Sequence, residues 1–180
     1  MKITTKTGDR GETSLFGGHR VSKASRFIEL VGELDELQSY VGWARCALID
    51  AAAAAILDRV QEDLYRMMAI VGFEMNCPDN VMTISEEDVE FLEKYIIEGQ
   101  DSVKDLGKFI RPGSCEVAAR LHIARTVCRR VERRMVAANE TAGVMTAADA
   151  VAGGEGYGAM LKYLNSLSDL LFIMAYKFER

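Results

Sequence analysis

Arg125, Arg129 and Arg133 stand four residues apart in the run LHIARTVCRRVERR (121–134). At helical spacing they share one face. Guanidinium forks suit phosphate oxygens, and a polyphosphate leaving group needs several of them. Arg130 and Arg134 form a neighbouring row, and Glu132 follows Arg129 by three residues. The competing reading is a solvated basic face, or Arg–Glu pairs between helices. A second candidate is Thr5-Lys6-Thr7-Gly8-Asp9-Arg10-Gly11-Glu12-Thr13-Ser14. Its glycines allow close backbone approach, and successive N–H groups and hydroxyls can cradle phosphate oxygens. Lys6 and Lys23 add cations, and Asp9 can meet a magnesium ion through water. The segment lacks the GxxxxGK-Ser/Thr pattern of a P-loop, and an ordinary polar loop is its alternative reading.

Other residues are more ambiguous. Asp35 lies next to the apolar position Leu34 in GELDELQSYVG (32–42). It is placed to pair with an arginine of another helix or another subunit, or to be a solvated acidic turn. His122, one residue after Leu121, reads as a satisfied semi-buried helical histidine, with a ligand role as the alternative. Asn165 and Asp169, at i and i+4, can contact a ribose or base, or bridge neighbouring helices. Phe109, ahead of Pro112-Gly113, is either a core staple or an apolar wedge at a site mouth. Cys46, Cys77, Cys115 and Cys128 contain no CxxC pair, and two histidines do not complete a zinc site. They read as free thiols, with Cys128 packed as a small apolar residue.

These side chains need helices to position them. Phe27, Leu30, Val31, Leu34, Leu37 and Val41 mark one apolar face over about 25–48, and Ile56, Val60, Leu64, Met67, Met68 and Val71 another over 53–74. Ser85, followed by Glu86, Glu87 and Asp88, caps a third helix reaching Glu98, with Val89, Leu92 and Ile96 inward. Ser114 is the expected N-cap of a fourth, whose seam is Val117, Leu121, Ala124, Cys128, Val131 and Met135. A fifth covers about 159–178. Ala51–Ala55 reads as helix-forming filler. Residues 5–23 and the glycine-rich 139–158 are not helical, and the only candidate strand is a short extended piece at 2–5. The expected fold is all-α, a five-helix bundle in a single domain, 1–180, with an ordered Gly/Thr-rich N-terminal loop.

The 180 residues, 49% hydrophobic, suffice for one core. A formal net charge of −5 argues against general nucleic-acid binding. No apolar leader or run of about 20 apolar residues is present, so the chain reads as cytoplasmic, with no membrane partner.

The segments TKTGDRGETSLFGG (5–18), RVSK (20–23), GELDELQSYVG (32–42), FIRPGS (109–114), LHIARTVCRRVERR (121–134) and YLNSLSDLLF (163–172), in this order, resemble the PduO-type ATP:cob(I)alamin adenosyltransferases. The resemblance implies a homotrimer with ATP between subunits under the N-terminal loop. By position, Thr5, Lys6, Thr7, Gly8, Thr13, Ser14 and Lys23 would hold ATP, completed by Arg129, Arg130, Glu132, Arg133 and Asn165. Arg125 would pair with Asp35, and Phe109 would lie below the corrin and displace its lower ligand. The implied reaction is attack of Co(I) on the ribose 5′ carbon of magnesium-bound ATP, with loss of triphosphate. A reductase and a B12-dependent acceptor enzyme are the implied protein partners. This sequence departs from the pattern at Gln38, Ser114, Ala175-Tyr176 and the long 139–158 segment. The few residues after Tyr176 would alter how the corrin is covered. An ATP-binding corrinoid carrier and a structural bundle with an arginine docking face are the alternative functions.

Overall fold

The computed structural model describes residues 4, 6–16, 18–73, 83–101, 103, 110–141 and 155–179. Their order is β1 (Glu12–Ser14), β2 (Arg20–Ser22), α1 (Arg26–Arg45), α2 (Ala51–Gly72), α3 (Glu86–Gln100), α4 (Glu116–Thr141) and α5 (Glu155–Tyr176). α1 packs between α2 and α4, and α5 packs between α4 and α3.

Helices α1, α2 and α3 begin where a polar side chain can satisfy free amides. The Ser25 hydroxyl accepts from the Ile28 amide, and the Asp50 carboxylate accepts from the Ala52 amide at 2.9 Å. Ser85 stands at the N-cap of α3, where its amide donates to Asp88 Oδ2 at 2.9 Å. The fourth helix differs from expectation. Cys115 immediately precedes it, and the hydroxyl of Ser114 is turned away, donating to the Phe178 carbonyl at 3.3 Å.

The apolar faces read from periodicity meet in the core. Leu34, Leu37 and Val41 of α1, Val60, Leu64 and Met67 of α2, and Leu121, Ala124, Cys128, Val131 and Met135 of α4 have no exposed surface. Cys128 is buried and its thiol donates to the Leu164 carbonyl at 3.2 Å. Burial pushes that thiol well above its ordinary range, so it stays protonated.

Two expectations are corrected. The N-terminal loop contains an antiparallel hairpin, pairing Glu12 with Ser22, Thr13 with Val21 and Ser14 with Arg20. The extended piece expected at 2–5 lies outside the described residues apart from Thr4, which is not in a strand. The glycine-rich 139–158 segment is helical at both ends, because α4 continues to Thr141 and α5 begins at Glu155.

The core also encloses a charged group. Asp63 of α2 is fully buried. It accepts from Arg59 Nε at 2.9 Å, from Arg66 Nη2, and from the Tyr163 hydroxyl of α5 at 2.8 Å. Asp88 of α3 faces the same guanidiniums, 2.5 Å from Arg59 and 2.7 Å from Arg66. Burial raises the Asp88 carboxyl, but bonds from Arg66, the Ser85 amide and Arg59 outweigh it and hold the group below its ordinary value. This network ties α2, α3 and α5 together.

Candidate functional site

The hairpin and its turn are fixed by backbone bonds. The Gly11 amide donates to the Gly8 carbonyl at 3.3 Å, and the Lys23 amide donates to the Gly11 carbonyl at 2.9 Å. Arg20 reaches back to the Thr7 carbonyl at 2.7 Å. Lys6 has φ 58°, a left-handed conformation uncommon outside glycine. A Cβ on Gly8 would stand 3.0 Å from Lys23 Nζ, so the absent side chain leaves room for that ammonium.

The hairpin is anchored on the last turn of α2. The Phe16 amide donates to the Gly72 carbonyl at 3.1 Å, and the Phe16 ring stacks on Phe73 with centroids 5.1 Å apart. A Cβ at 72 would lie 2.5 Å from the Phe16 ring, so any larger residue there must displace that ring. The result is a cleft of about 570 Å³ whose rim carries Thr13, Ser14 and Lys23 and whose floor includes Val31, Tyr65 and Met68. Of the expected phosphate-binding residues, Lys6, Thr7, Gly8, Thr13, Ser14 and Lys23 are gathered on this hairpin and its turn. Thr5 and Phe109 lie outside the described residues.

Five of the six arginines of α4 divide into two rows, and the sixth, Arg120, pairs with Glu116 of its own helix. Arg130 bonds Glu33 at 2.6 Å and also Glu36, both on α1, and Arg134 sits 3.1 Å from Glu29. This row clasps α4 to α1. The row of Arg125, Arg129 and Arg133 makes no ion pair among the described residues. Arg133 Nη1 donates to the Arg129 carbonyl at 2.9 Å, and both side chains are exposed. Arg125 is half-buried and its Nε donates to His122 Nδ1 at 3.3 Å. Burial and the charge of Arg129 lower the Arg125 guanidinium from its ordinary value.

Glu132 is half-buried, while Asn165 and Asp169 are exposed on α5. The charges of Glu132 and Asp169 raise the Cys128 thiol and that of Arg129 lowers it, all less than burial does. Asp35 is exposed on α1 and, among the described residues, forms no pair with Arg125 of its own chain. Gln38 turns toward α2, where Gln61 Nε2 donates to its carbonyl at 3.3 Å.

Sequence reasoning did not find the surroundings of His122. Its side chain is 5% exposed, and Nε2 lies 3.4 Å from Oε1 of Glu179, whose side chain is 8% exposed. Burial, then the charge of Arg125, hold the imidazole below its ordinary pKa against the opposing pull of Glu179. The i, i+3 spacing of His122 and Arg125 was visible in the sequence, whereas the return of Glu179 to α4 is a tertiary fact. Among the described residues no cluster of His, Cys, Asp and Glu can hold a metal ion, and no helix is long and apolar enough to cross a membrane.

Comparison with known proteins agrees with this geometry. The family model described as cobalamin adenosyltransferase matches residues 3–178. The corrinoid adenosyltransferase PduO of Salmonella typhimurium is 37% identical over 176 residues, covering 97% of this chain and 49% of that protein. The chain therefore spans about half the length of the PduO relatives it matches. The corrinoid adenosyltransferase of Bacillus subtilis is 37% identical over 179 residues, covering 97% of this chain and 85% of the relative. A variant PduO-type ATP:corrinoid adenosyltransferase from Lactobacillus reuteri, complexed with cobalamin and ATP, superposes with a TM-score of 0.77 at 26% identity, covering 97% of this chain and 91% of that one. The fold, the order of motifs and these similarities together show that the chain belongs to the cobalamin adenosyltransferase family.

Proposed function

We propose that this chain transfers the 5′-deoxyadenosyl group of ATP to the Co(I) of a reduced corrinoid. The observation that carries the reading is the unequal treatment of the α4 arginines. One row is neutralised by carboxylates of α1; the other is left without an in-chain carboxylate among the described residues, in a chain of net charge −5. A guanidinium row with no carboxylate partner keeps its donors open to an anion. A triphosphate is such an anion.

Co(I) supplies both electrons of the new Co–C bond. The bond from C5′ to oxygen breaks, and its pair leaves with triphosphate. No proton moves, so no base is needed. Arg129 and Arg133 neutralise the charge that develops on the leaving oxygen. Thr5, Lys6, Thr7, Gly8, Thr13, Ser14 and Lys23 hold ATP from the hairpin side, and Arg130, Glu132 and Asn165 complete the site, with Arg130 fixed by Glu33 and Glu36. Magnesium bound to ATP would offset the triphosphate charge, and Asp9 is the residue that would hold it through water. Phe109 would exclude the lower axial ligand of the corrinoid, which would ease the reduction of Co(II) by a reductase.

The site is shared between subunits of a homotrimer. Support comes from Asp35 and Arg125, which do not pair within one chain and are complementary across an interface. Finished cofactor passes to a B12-dependent acceptor enzyme.

The test is anaerobic. Purified protein is mixed with chemically reduced cob(I)alamin and Mg-ATP, and the visible spectrum is followed. Loss of the Co(I) band with formation of light-sensitive adenosylcobalamin is expected. ATP binding with an unchanged spectrum would leave a carrier in place of an enzyme. Light scattering on the eluting protein, expected at three times the 19.9 kDa chain mass, tests the trimer.

A further inference from the structure

We propose that Glu179 is a positioning residue for Arg125, acting through His122. The inference rests on the role given to Arg125 above. It starts from two buried polar atoms, His122 Nε2 and Glu179 Oε1, which make no hydrogen bond of good geometry among the described residues yet face each other at 3.4 Å. On the other edge of the same ring, Arg125 Nε donates to Nδ1 at 3.3 Å.

The chemistry of the ring connects the two contacts. A guanidinium has only donors, so Nδ1 must present its lone pair. A neutral imidazole with a bare Nδ1 carries its proton on Nε2. The Glu179 carboxylate lies 3.4 Å from that nitrogen, close enough for its charge to favour a proton there although the two are not aligned for a hydrogen bond. Glu179 thus selects the tautomer that can accept from Arg125, and the ring then fixes the angle at which the guanidinium leaves α4. In the opposite tautomer, two N–H groups would confront each other and Arg125 would be released.

The backbone that carries Glu179 is held in place independently of the ring. The Phe178 carbonyl, one residue earlier, accepts from Ser114 Oγ at 3.3 Å and from Cys115 Sγ at 3.6 Å, both at the start of α4. The Glu179 amide donates to the Tyr176 carbonyl at 3.1 Å. Phe172 of α5 covers the ring edge-on, with centroids 6.3 Å apart. The charged groups facing His122 are Arg125 on its own helix, with Arg129 behind it, and Glu179 from the turn after α5; α5 contributes only the Phe172 ring, against which Tyr176 is tilted. Burial keeps the ring neutral, as the relay requires.

The test uses Glu179→Leu, which removes the acceptor, beside Glu179→Gln, which keeps an accepting oxygen. The chain has two histidines, so long-range ¹⁵N–¹H spectra of histidine-labelled protein report each ring, and His122→Asn assigns them. At pH 7.5 wild type and Glu179→Gln are expected to show His122 in the Nε2–H tautomer, and Glu179→Leu a mixture. Turnover of Glu179→Leu should fall about tenfold with the KM for ATP within about twofold, the pattern of a misplaced guanidinium; Glu179→Gln should recover most of it. Should Glu179→Leu fail to fold, His122→Asn, whose amide oxygen can accept in place of Nδ1, is expected to outperform His122→Leu by a similar factor. An Nδ1–H tautomer in wild type overturns the proposal, as does full turnover by Glu179→Leu with a scrambled tautomer, or equal turnover of the two His122 variants. A wild-type protein that does not adenosylate refutes the enzymatic reading, and the spectra then decide the relay alone.

Discussion

Asp63 offers a stability test whose size follows from its surroundings. Tyr163→Phe removes one donor, at 2.8 Å, from a carboxylate with no exposed surface. A hydrogen bond to a charged group contributes about 1.5–3 kcal/mol, and because two guanidiniums remain on Asp63 the expected loss is about 2 kcal/mol. Asp63→Ala is worse, because it strands the guanidiniums and the tyrosine hydroxyl together. Breaking a buried pair costs about 3–5 kcal/mol. Here Asp88 stays within 2.5 Å of Arg59 and 2.7 Å of Arg66, and the Arg59 side chain is 41% exposed, so water and Asp88 both compensate. The lower end, about 3 kcal/mol, is therefore expected. At roughly 2–4 °C per kcal/mol for a chain of this length, the midpoints fall by about 4–8 °C and about 6–12 °C. Urea and thermal unfolding followed by circular dichroism, at one protein concentration, read both. The double variant discriminates further: once Asp63 is gone the Tyr163 hydroxyl has no acceptor to lose, so the pair should cost about 1–2 kcal/mol less than the sum. Strict additivity, or an Asp63→Ala loss below about 1 kcal/mol, would refute the view that this network joins the helices.

The two rows of α4 should separate in experiment. Arg129→Ala is expected to lower kcat/KM about a hundredfold or more, as loss of charge stabilisation at a leaving group does; turnover close to wild type would end its assigned role. Arg130→Ala, which frees Glu33 and Glu36, should show a lower urea midpoint, by about 1 kcal/mol in stability. Gly72→Ala drives a methyl into Phe16, so it should raise the KM for ATP several-fold by displacing the hairpin, with α-helical circular dichroism unchanged. His122 predicts an acid limb in stability. Its folded pKa lies below the ordinary 6.5, so on acidification the unfolded chain takes up the proton first. Stability should therefore fall as pH drops below about 6.5 and level off once the folded pKa is passed. His122→Asn should flatten that part of the profile.

The five helices were legible because their apolar residues repeat at 3.6 over three or more turns. The hairpin was not, since each strand has three residues, and Glu12-Thr13-Ser14 against Arg20-Val21-Ser22 shows too little alternation to read. Its anchor, Phe16 on Gly72, joins residues 56 apart in sequence. The α4 arginines were legible as a cluster of two rows, but which row meets the α1 carboxylates was not. It depends on which side of α4 meets Glu29, Glu33 and Glu36, a matter of rotation about the helix axis. The buried Asp63 escaped for a related reason. Between Arg59 and Arg66 it reads as one more exposed charge, and its burial requires Tyr163 to arrive from a hundred residues away.

That sorting also bears on why one helix can serve both fold and ligand. Helix α4 packs on both α1 and α5, so its core seam is fixed by neighbours on two sides. Arg130 and Arg134 close one flank of that seam against α1 carboxylates, which fixes the rotation of the helix. With rotation fixed, the row displaced by one residue, Arg125, Arg129 and Arg133, must face elsewhere, and no carboxylate of α1 reaches it. Removing the α1 carboxylates, by Glu33→Gln together with Glu36→Gln, should therefore affect more than stability. Arg130 would become a further uncompensated cation beside the triphosphate row, and binding of Mg-ATP should become more dependent on salt. If the salt dependence of ATP binding in that double variant matches wild type, Arg130 does not share the field of the open row, and its place in the nucleotide site falls with it.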